Sequence, residues 1–365
     1  MRKLLKLDLI IVSIVRLLLL MGLSAIYSLS VNANEAGFNN FDKQLVAVVI
    51  GLASFFFFAF FDYRALSAVS TKLYFIALAL LASVFLIGSR IRGATAWIGL
   101  GPFHLEPVEV VKLVMIIFLA SFLSKKKTHF SIAGRAAVSV ALVGIPLALI
   151  LKQPDFGSAS VVVGIWAGML FASGINKKVF FALFMIAIAA ASSGWFFLKD
   201  YQKERIINFI HPQNDPRGSG YNVTQATIAV GSGGIWGKGL GQGSQSQLNF
   251  LPEKHTDFIF AVFAEDLGFF GSAIILALFG ILIYRIKKTA ALARDNFGYL
   301  IAVGVIMMFF VQIAVNAGMN VGLVPVAGVP LPLLSYGGSS MVAILTGLGL
   351  VQSIYVRRIK AGTRN

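Results

Sequence analysis

Apolar residues arrive along this chain in unbroken blocks, parted by short polar stretches. They show neither the alternation of half-buried strands nor the three-to-four spacing of surface helices. The blocks are about 20 residues long, the length an α-helix needs to cross bilayer hydrocarbon. Ten spans are expected, at 9–30, 45–61, 73–88, 107–123, 133–151, 157–173, 179–198, 257–284, 299–323 and 339–356. In lipid every backbone polar group must be satisfied internally, which leaves helices or closed barrels; runs without alternation exclude the barrel. The expected fold is an all-α integral membrane protein, a single polytopic domain over 1–365. One long loop, 199–256, joins helices 7 and 8. It holds Tyr221, Ile228, Trp236, Leu240 and Phe250 among its glycines, too many apolar groups for a disordered linker, and is expected to be ordered, with a short helix near Asn222–Val230.

The polar stretches supply orientation. Arg2, Lys3, Lys6, Arg64, Lys72, Lys125, Lys126, Lys127 and Arg135 fall on one side of a ten-span count. Lys177, Lys178, Arg285, Lys287, Lys288, Arg294, Arg357, Arg358, Lys360 and Arg364 join them. Positive charge in short loops marks the cytoplasmic side, so both termini are expected there and the long loop is expected to be extracytoplasmic. Val31–Ala33 imitates a signal-peptide cleavage site, but the preceding apolar run is too long, and the first helix is expected to be uncleaved.

Composition then narrows the partners. The formal charge of +16 would suggest nucleic acid in a soluble protein. Here it reflects topology and attraction to anionic membrane lipids, so nucleic acid is not expected. The absence of cysteine removes disulfides, thiol nucleophiles and thiolate metal sites.

With only 15 acidic residues and 4 histidines, polar groups at membrane boundaries stand out. Asp257 is expected in the first turn of the eighth span, with Thr256 as N-cap and with Glu253 and His255 beside it. A carboxylate there can act as general base toward a sugar hydroxyl. In EPVEVVKL, Glu109 and Lys112 are three apart on one helix face, either a structural ion pair or a polar cavity in which Lys112 meets a phosphate. Asp155, in KQPDFGSAS, is either a turn former or part of the same site or of a divalent-cation site. Arg205, Arg217 and Lys238 accompany the run GSGGIWGKGLGQG, which lacks the Walker and Rossmann contexts. Its glycines are read as letting backbone N–H groups approach a phosphate or sugar, with the basic residues answering a pyrophosphate. GVPLPLLSYGGSS is read as a helix-entry bend or cavity lining. His104, His211 and His255 match no metal spacing.

The order QPDFGSA, then NFIHPQNDPRGSGYNVTQATIAVGSGGIWGKGLGQGSQSQLNFLPEKHTDFIFAVFAEDLGFFG, then NVGLVPVAGVPLPLLSYGGSS resembles the SEDS (shape, elongation, division and sporulation) family over nearly the whole chain. The GSQSQLNFLPEKHTDF and GLVPVAGVPLP runs look like its elongation member, with the cell-division member the near alternative. The family often carries two glutamates where this chain has Glu265 and Asp266, which keeps the charge. The resemblance implies a peptidoglycan glycosyltransferase that polymerises lipid II on the outer face of the bacterial plasma membrane. It implies partnership with a class B penicillin-binding protein and the elongation machinery. The family's essential acidic residue falls on Asp257, and its cavity residues on Glu109, Lys112 and Asp155. Asp257 would deprotonate the acceptor's 4-hydroxyl, whose oxygen attacks the donor's anomeric carbon with inversion and expels undecaprenyl pyrophosphate. Leaving-group charge would fall to Lys112, to loop Arg or Lys, or to a divalent cation such as magnesium or manganese; no nucleotide or redox cofactor is expected. Two rival classes are a lipid II flippase, in which the Glu109–Lys112 pair would be equally at home, and a non-catalytic scaffold for the penicillin-binding protein.

Overall fold

The computed structural model describes residues 6–31, 37–91, 94–101, 103–125, 132–182, 185, 203, 207, 209, 218–248, 250–251 and 253–358. In chain order these form α1 (Leu9–Val31), α2 (Gly37–Phe60), α3 (Ala65–Ile87), β1 (Ser89–Ile91), β2 (Ala94–Leu100), β3 (Phe103–Leu105) and α4 (Pro107–Ser124). There follow α5 (Ile132–Lys152), α6 (Phe156–Ala172), α7 (Ser219–Ser232), α8 (Ser244–Gln247), α9 (Ile259–Ala291), α10 (Asn296–Asn320) and α11 (Gly338–Val356). Among the described residues, eight helices are long and apolar enough to cross a membrane, and α6 is a shorter apolar one. The chain is a multi-pass membrane protein. Most of the expected seventh span, 179–198, lies outside the described residues.

Several boundaries differ from the hydropathy blocks. Helix α3 starts at Ala65, eight residues before the expected start, because Ser67 and Ser70 are satisfied inside the bundle: the Ser67 hydroxyl pairs with that of Ser121 at 3.1 Å, and Ser70 donates to the Ser67 carbonyl. The segment before α4 is a small antiparallel meander in which Ile98 pairs with Leu105 and Arg90 with Thr95, an element that block-length reasoning passes over.

Helix α4 is the axis of the bundle. Nearly every residue from Pro107 to Leu123 is buried, and it packs against α3, α6, α10 and α11. Lipid offers no hydrophobic force between helices, so close van der Waals approach has to hold them. The α2–α11 seam illustrates this: a Cβ on Gly349 would lie 2.5 Å from the Phe55 carbonyl oxygen.

The two ends of the bundle differ in chemistry. At one, Arg64 meets Asp62 and Asp295, Arg357 meets Asp62, and Arg285 binds Asp8 at 2.6 Å, while Asp8 also exchanges hydrogen bonds with Gln352. At the other lie Glu106, Asp155, Asp257 and the loop before α11.

Helix α9 is broken at Gly268, where φ is 65° and ψ is −163°. A left-handed glycine accounts for the kink. The loop after α7 fills the break. In an unbroken helix, Phe269 and Phe270 would donate to the carbonyls of Glu265 and Asp266. Instead they donate to Gly234 and Ile235, at 2.9 and 3.3 Å. The two vacated carbonyls accept the N–H groups of Lys238 and Gly239, at 3.0 and 2.9 Å. The loop is thus spliced into the helix ladder, and the Trp236 ring packs against Phe270 with centroids 5.0 Å apart and the planes tilted by 30°.

Candidate functional site

Asp257 lies in the turn immediately before α9, outside its first turn; the residue that caps the helix is Phe258, which has no side-chain cap bond. The expectation that Thr256 caps the helix fails for a physical reason. The Thr256 hydroxyl is held by Glu253, and the Phe258 N–H that a Thr256 cap would satisfy is already taken by the Glu253 carbonyl at 3.3 Å. The helix instead starts after Phe258, and its third N–H, that of Ala261, bonds the Asn320 side-chain oxygen at 3.0 Å. An amide on α10 does the capping from across the interface.

The turn is fastened on three sides. The Asp257 carbonyl accepts the side-chain amides of Asn316, at 2.9 Å, and Asn320, at 3.0 Å. The Thr256 carbonyl accepts the Ser335 hydroxyl at 2.6 Å, and the His255 carbonyl accepts the Tyr336 N–H at 2.8 Å. Gln44 of α2 ties the same loop down, donating to the Ser335 carbonyl and accepting the Gly337 N–H. The segment read as a helix-entry bend is therefore also the clamp of the Asp257 turn. Glu253 stands at φ 50°, an uncommon conformation for a non-glycine residue, with its carbonyl accepting from Thr256 and Phe258.

Glu109 and Lys112 form an ion pair of 2.8 Å, each 1% exposed. The other Glu109 carboxylate oxygen is buried with no partner among the described residues. Asp155 caps α6, accepting the Ser158 N–H at 2.9 Å, so the turn-forming reading of that residue holds in the form of a helix cap. Glu106 joins these groups. Its N–H donates to Ser339 Oγ, and Glu109, Asp155, Lys112 and Asp257 all act on its charge. Burial first, and then the neighbouring carboxylates, push its carboxyl up to about 8. Burial pushes the His255 imidazole down to about 4, helped by Lys254. Lys254 itself bonds the Ser246 carbonyl at 2.7 Å.

The glycine-rich run is arranged differently from the expectation. N–H groups of the run, together with those of Gln245 and Ser246 in α8 just after it, converge on Glu265 and Asp266 of α9 and not on a space for phosphate. Gln245 and Ser246 donate to the two Glu265 oxygens, at 2.9 and 3.0 Å, and Gly241 donates to Asp266 at 2.9 Å. Lys238 pairs with Glu265 at 2.9 Å, which places it with the splice and not with Asp257. Arg205 and Arg217 lie outside the described residues.

The structure therefore gathers Asp257, Glu109, Lys112 and Asp155 with Glu106 at one end of the bundle, with Glu253 and His255 on the Asp257 turn. Sequence reasoning passed over Asn316 and Asn320. Their signal was the four-residue spacing of two amides in the apolar run VNAGMN. Among the described residues no group of three or more His, Asp or Glu gathers in a metal-binding arrangement. An arrangement of one well-held carboxylate, a buried cation and a carboxyl of raised proton affinity suits proton removal beside an anionic group.

Residues 8–360 match the FtsW/RodA/SpoVE family, described as cell cycle proteins. The peptidoglycan glycosyltransferase MrdB of Escherichia coli K12 is 37% identical over 343 residues, covering 94% of this chain and 92% of that one. A chain from a peptidoglycan synthase complex that coordinates polymerization and crosslinking superposes with a TM-score of 0.80, at 32% identity, over 97% of this chain and 99% of its own. The rod shape determining protein RodA of Thermus thermophilus gives a TM-score of 0.71 at 29% identity, over 97% and 98%.

Proposed function

The chain belongs to the FtsW, RodA and SpoVE family of cell cycle proteins, and from that membership we propose that it is a peptidoglycan glycosyltransferase of cell elongation and shape maintenance, polymerising lipid II. The observation that carries the reading is Asp257, clamped in a turn at the bundle end that also holds Glu106, Asp155 and the buried Glu109–Lys112 pair. Asp257 takes the proton from the acceptor's 4-hydroxyl. The oxygen bonds to the donor's anomeric carbon from the face opposite the leaving group. The carbon–oxygen bond to undecaprenyl pyrophosphate breaks, and that group leaves with the electron pair, already ionised, so no general acid is needed. Lys112 is the nearby buried cation for the developing charge. Its pairing with Glu109 keeps it charged in a dry interior until an anion arrives. The described residues offer no protein cage for a metal, so a divalent cation, magnesium or manganese, is proposed only as a companion of the substrate's phosphates.

Arg64, Arg285 and Arg357 lie at the end away from Asp257, which supports cytoplasmic termini and an active site on the outer side of the bacterial plasma membrane. A class B penicillin-binding protein is the proposed partner, supported by the likeness to a chain of a peptidoglycan synthase complex. The deciding experiment incubates purified protein with fluorescent lipid II, with and without chelator. Wild type is expected to build glycan strands, while folded Asp257→Ala builds none. Polymerisation by that variant would overturn the assignment of Asp257; its absence in wild type would favour the flippase or scaffold.

A further inference from the structure

Asp257 is the proposed base, yet no helix ladder fixes its backbone, because it sits in the turn before α9. A carboxylate on a free turn would sample many directions. Two side chains take over the task. Asn316 and Asn320 lie one turn apart on one face of α10, both fully buried, and both donate to the single carbonyl oxygen of Asp257. Each has a second bond that locks a neighbouring piece. Asn320 accepts the Ala261 N–H and so sets where α9 begins. Asn316 donates to the Val329 carbonyl at 2.7 Å and so holds the loop before α11. That loop reaches the carboxylate itself, since a Cβ on Gly328 would stand 3.8 Å from Asp257 Oδ2. The turn, the helix start and the facing loop are therefore all referenced to one helix. That helix also packs against α4, which carries Glu109 and Lys112.

We propose that Asn316 and Asn320 are positioning residues that fix the direction of the Asp257 carboxylate, and through α10 its distance from the Glu109–Lys112 pair. This rests on the reading of Asp257 as the base. Two buried amides in a membrane helix are a poor choice for packing alone, since leucine would fill the volume without polar atoms to satisfy. Reaction rates are steeply sensitive to placement: a displacement of about 1 Å can lower a rate about a hundredfold.

The test uses the full chain in detergent or vesicles with fluorescent lipid II, reading kcat, KM and the melting temperature of each variant. Asn316→Ser and Asn320→Ser are the informative substitutions. The Asn320 amide already bonds the Asn316 carbonyl one turn back, at 2.8 Å, and a serine hydroxyl can keep such a bond while falling short of Asp257. These variants are therefore expected to fold. Each single change should lower kcat about tenfold and the pair about a hundredfold, with KM within about twofold of wild type. Asn316→Leu and Asn320→Leu should do the same wherever they fold. A folded double serine variant with wild-type kcat would overturn the proposal. So would a raised KM at unchanged kcat, or a loss that follows the amount of folded protein one for one. Asp257→Ala is run alongside. Activity in that variant removes the base assignment, whereas an inactive Asp257→Ala beside a fully active double serine variant removes the positioning role alone.

Discussion

Lys112 Nζ sits 2.8 Å from Glu109 Oε1, and both side chains are sealed inside the bundle. Removing one partner strands the other charge in a low-dielectric interior, a loss of about 3–5 kcal/mol, whereas replacing both with apolar groups is often neutral. Lys112→Met and Glu109→Leu should each lower the melting temperature in detergent by many degrees. The double variant should melt above either single one. If it melts below both, the pair is not isolated and binds further groups.

The splice between the glycine loop and α9 predicts a sharp size limit at Gly237. It stands at φ 80°, and a Cβ there would strike the Asp266 carbonyl. Gly237→Ala should therefore pull the loop out of the kink and expose the segment around Ile235–Leu240 to protease. Limited proteolysis followed by mass spectrometry reads this directly. Wild-type resistance in the variant would mean that the ladder exchange is not what anchors the loop.

Glu265 accepts two backbone N–H groups and the Lys238 ammonium while fully buried. The two N–H groups reach different oxygens, so a glutamine can still accept one of them at its amide oxygen, whereas an alanine leaves both unsatisfied, at about 1–3 kcal/mol each. Glu265→Ala should thus destabilise clearly more than Glu265→Gln in a thermal melt. Equal losses would show that charge, and not acceptance, is what the loop needs from this residue.

The membrane fold and the placement of Glu109 with Lys112 were legible because they depend on local rules: span length, charge beside spans, and helical spacing of three. Asn316 and Asn320 escaped notice because their partners are backbone groups about sixty residues away, and a carbonyl leaves no mark in a sequence. The misreading of the glycine run has the same origin. Glycines that admit a phosphate and glycines that admit a helix backbone look alike until the facing element is known. Thr256 illustrates a third case, a good capping residue whose hydroxyl and whose target, the Phe258 N–H, are both already engaged by Glu253.

His255 predicts an acid limb of stability. Burial, with help from Lys254, holds its imidazole at about 4, below the ordinary 6.5. Between those values the unfolded chain binds the proton and the folded one does not, so stability rises with pH across that window and is lost as pH falls through it. The full effect is at most about 3 kcal/mol, reduced by partial exposure. His255→Asn should flatten melting temperature against pH between 4 and 6.5 relative to wild type. An unchanged slope would place the acid sensitivity elsewhere.

Glu106 predicts the opposite limb. Its folded carboxyl is raised to about 8 from an ordinary 4.5, by burial first and then by Glu109 and Asp155. Between these values the folded chain keeps a proton that the unfolded chain has released. Its contribution to stability is therefore complete below pH 4.5, shrinks as pH rises, and is gone above 8. At neutral pH the group is a neutral acid, which an amide imitates in shape and in having a donor. Glu106→Gln should accordingly fold, keep wild-type polymerisation at pH 7, and melt at a temperature that no longer falls between pH 6 and 8.5. Glu106→Asp keeps the titration but shortens the reach and should retain the fall. If Glu106→Gln is inactive at pH 7 while folded, the ionised carboxylate is required, and Glu106 then takes part in proton transfer alongside Asp257.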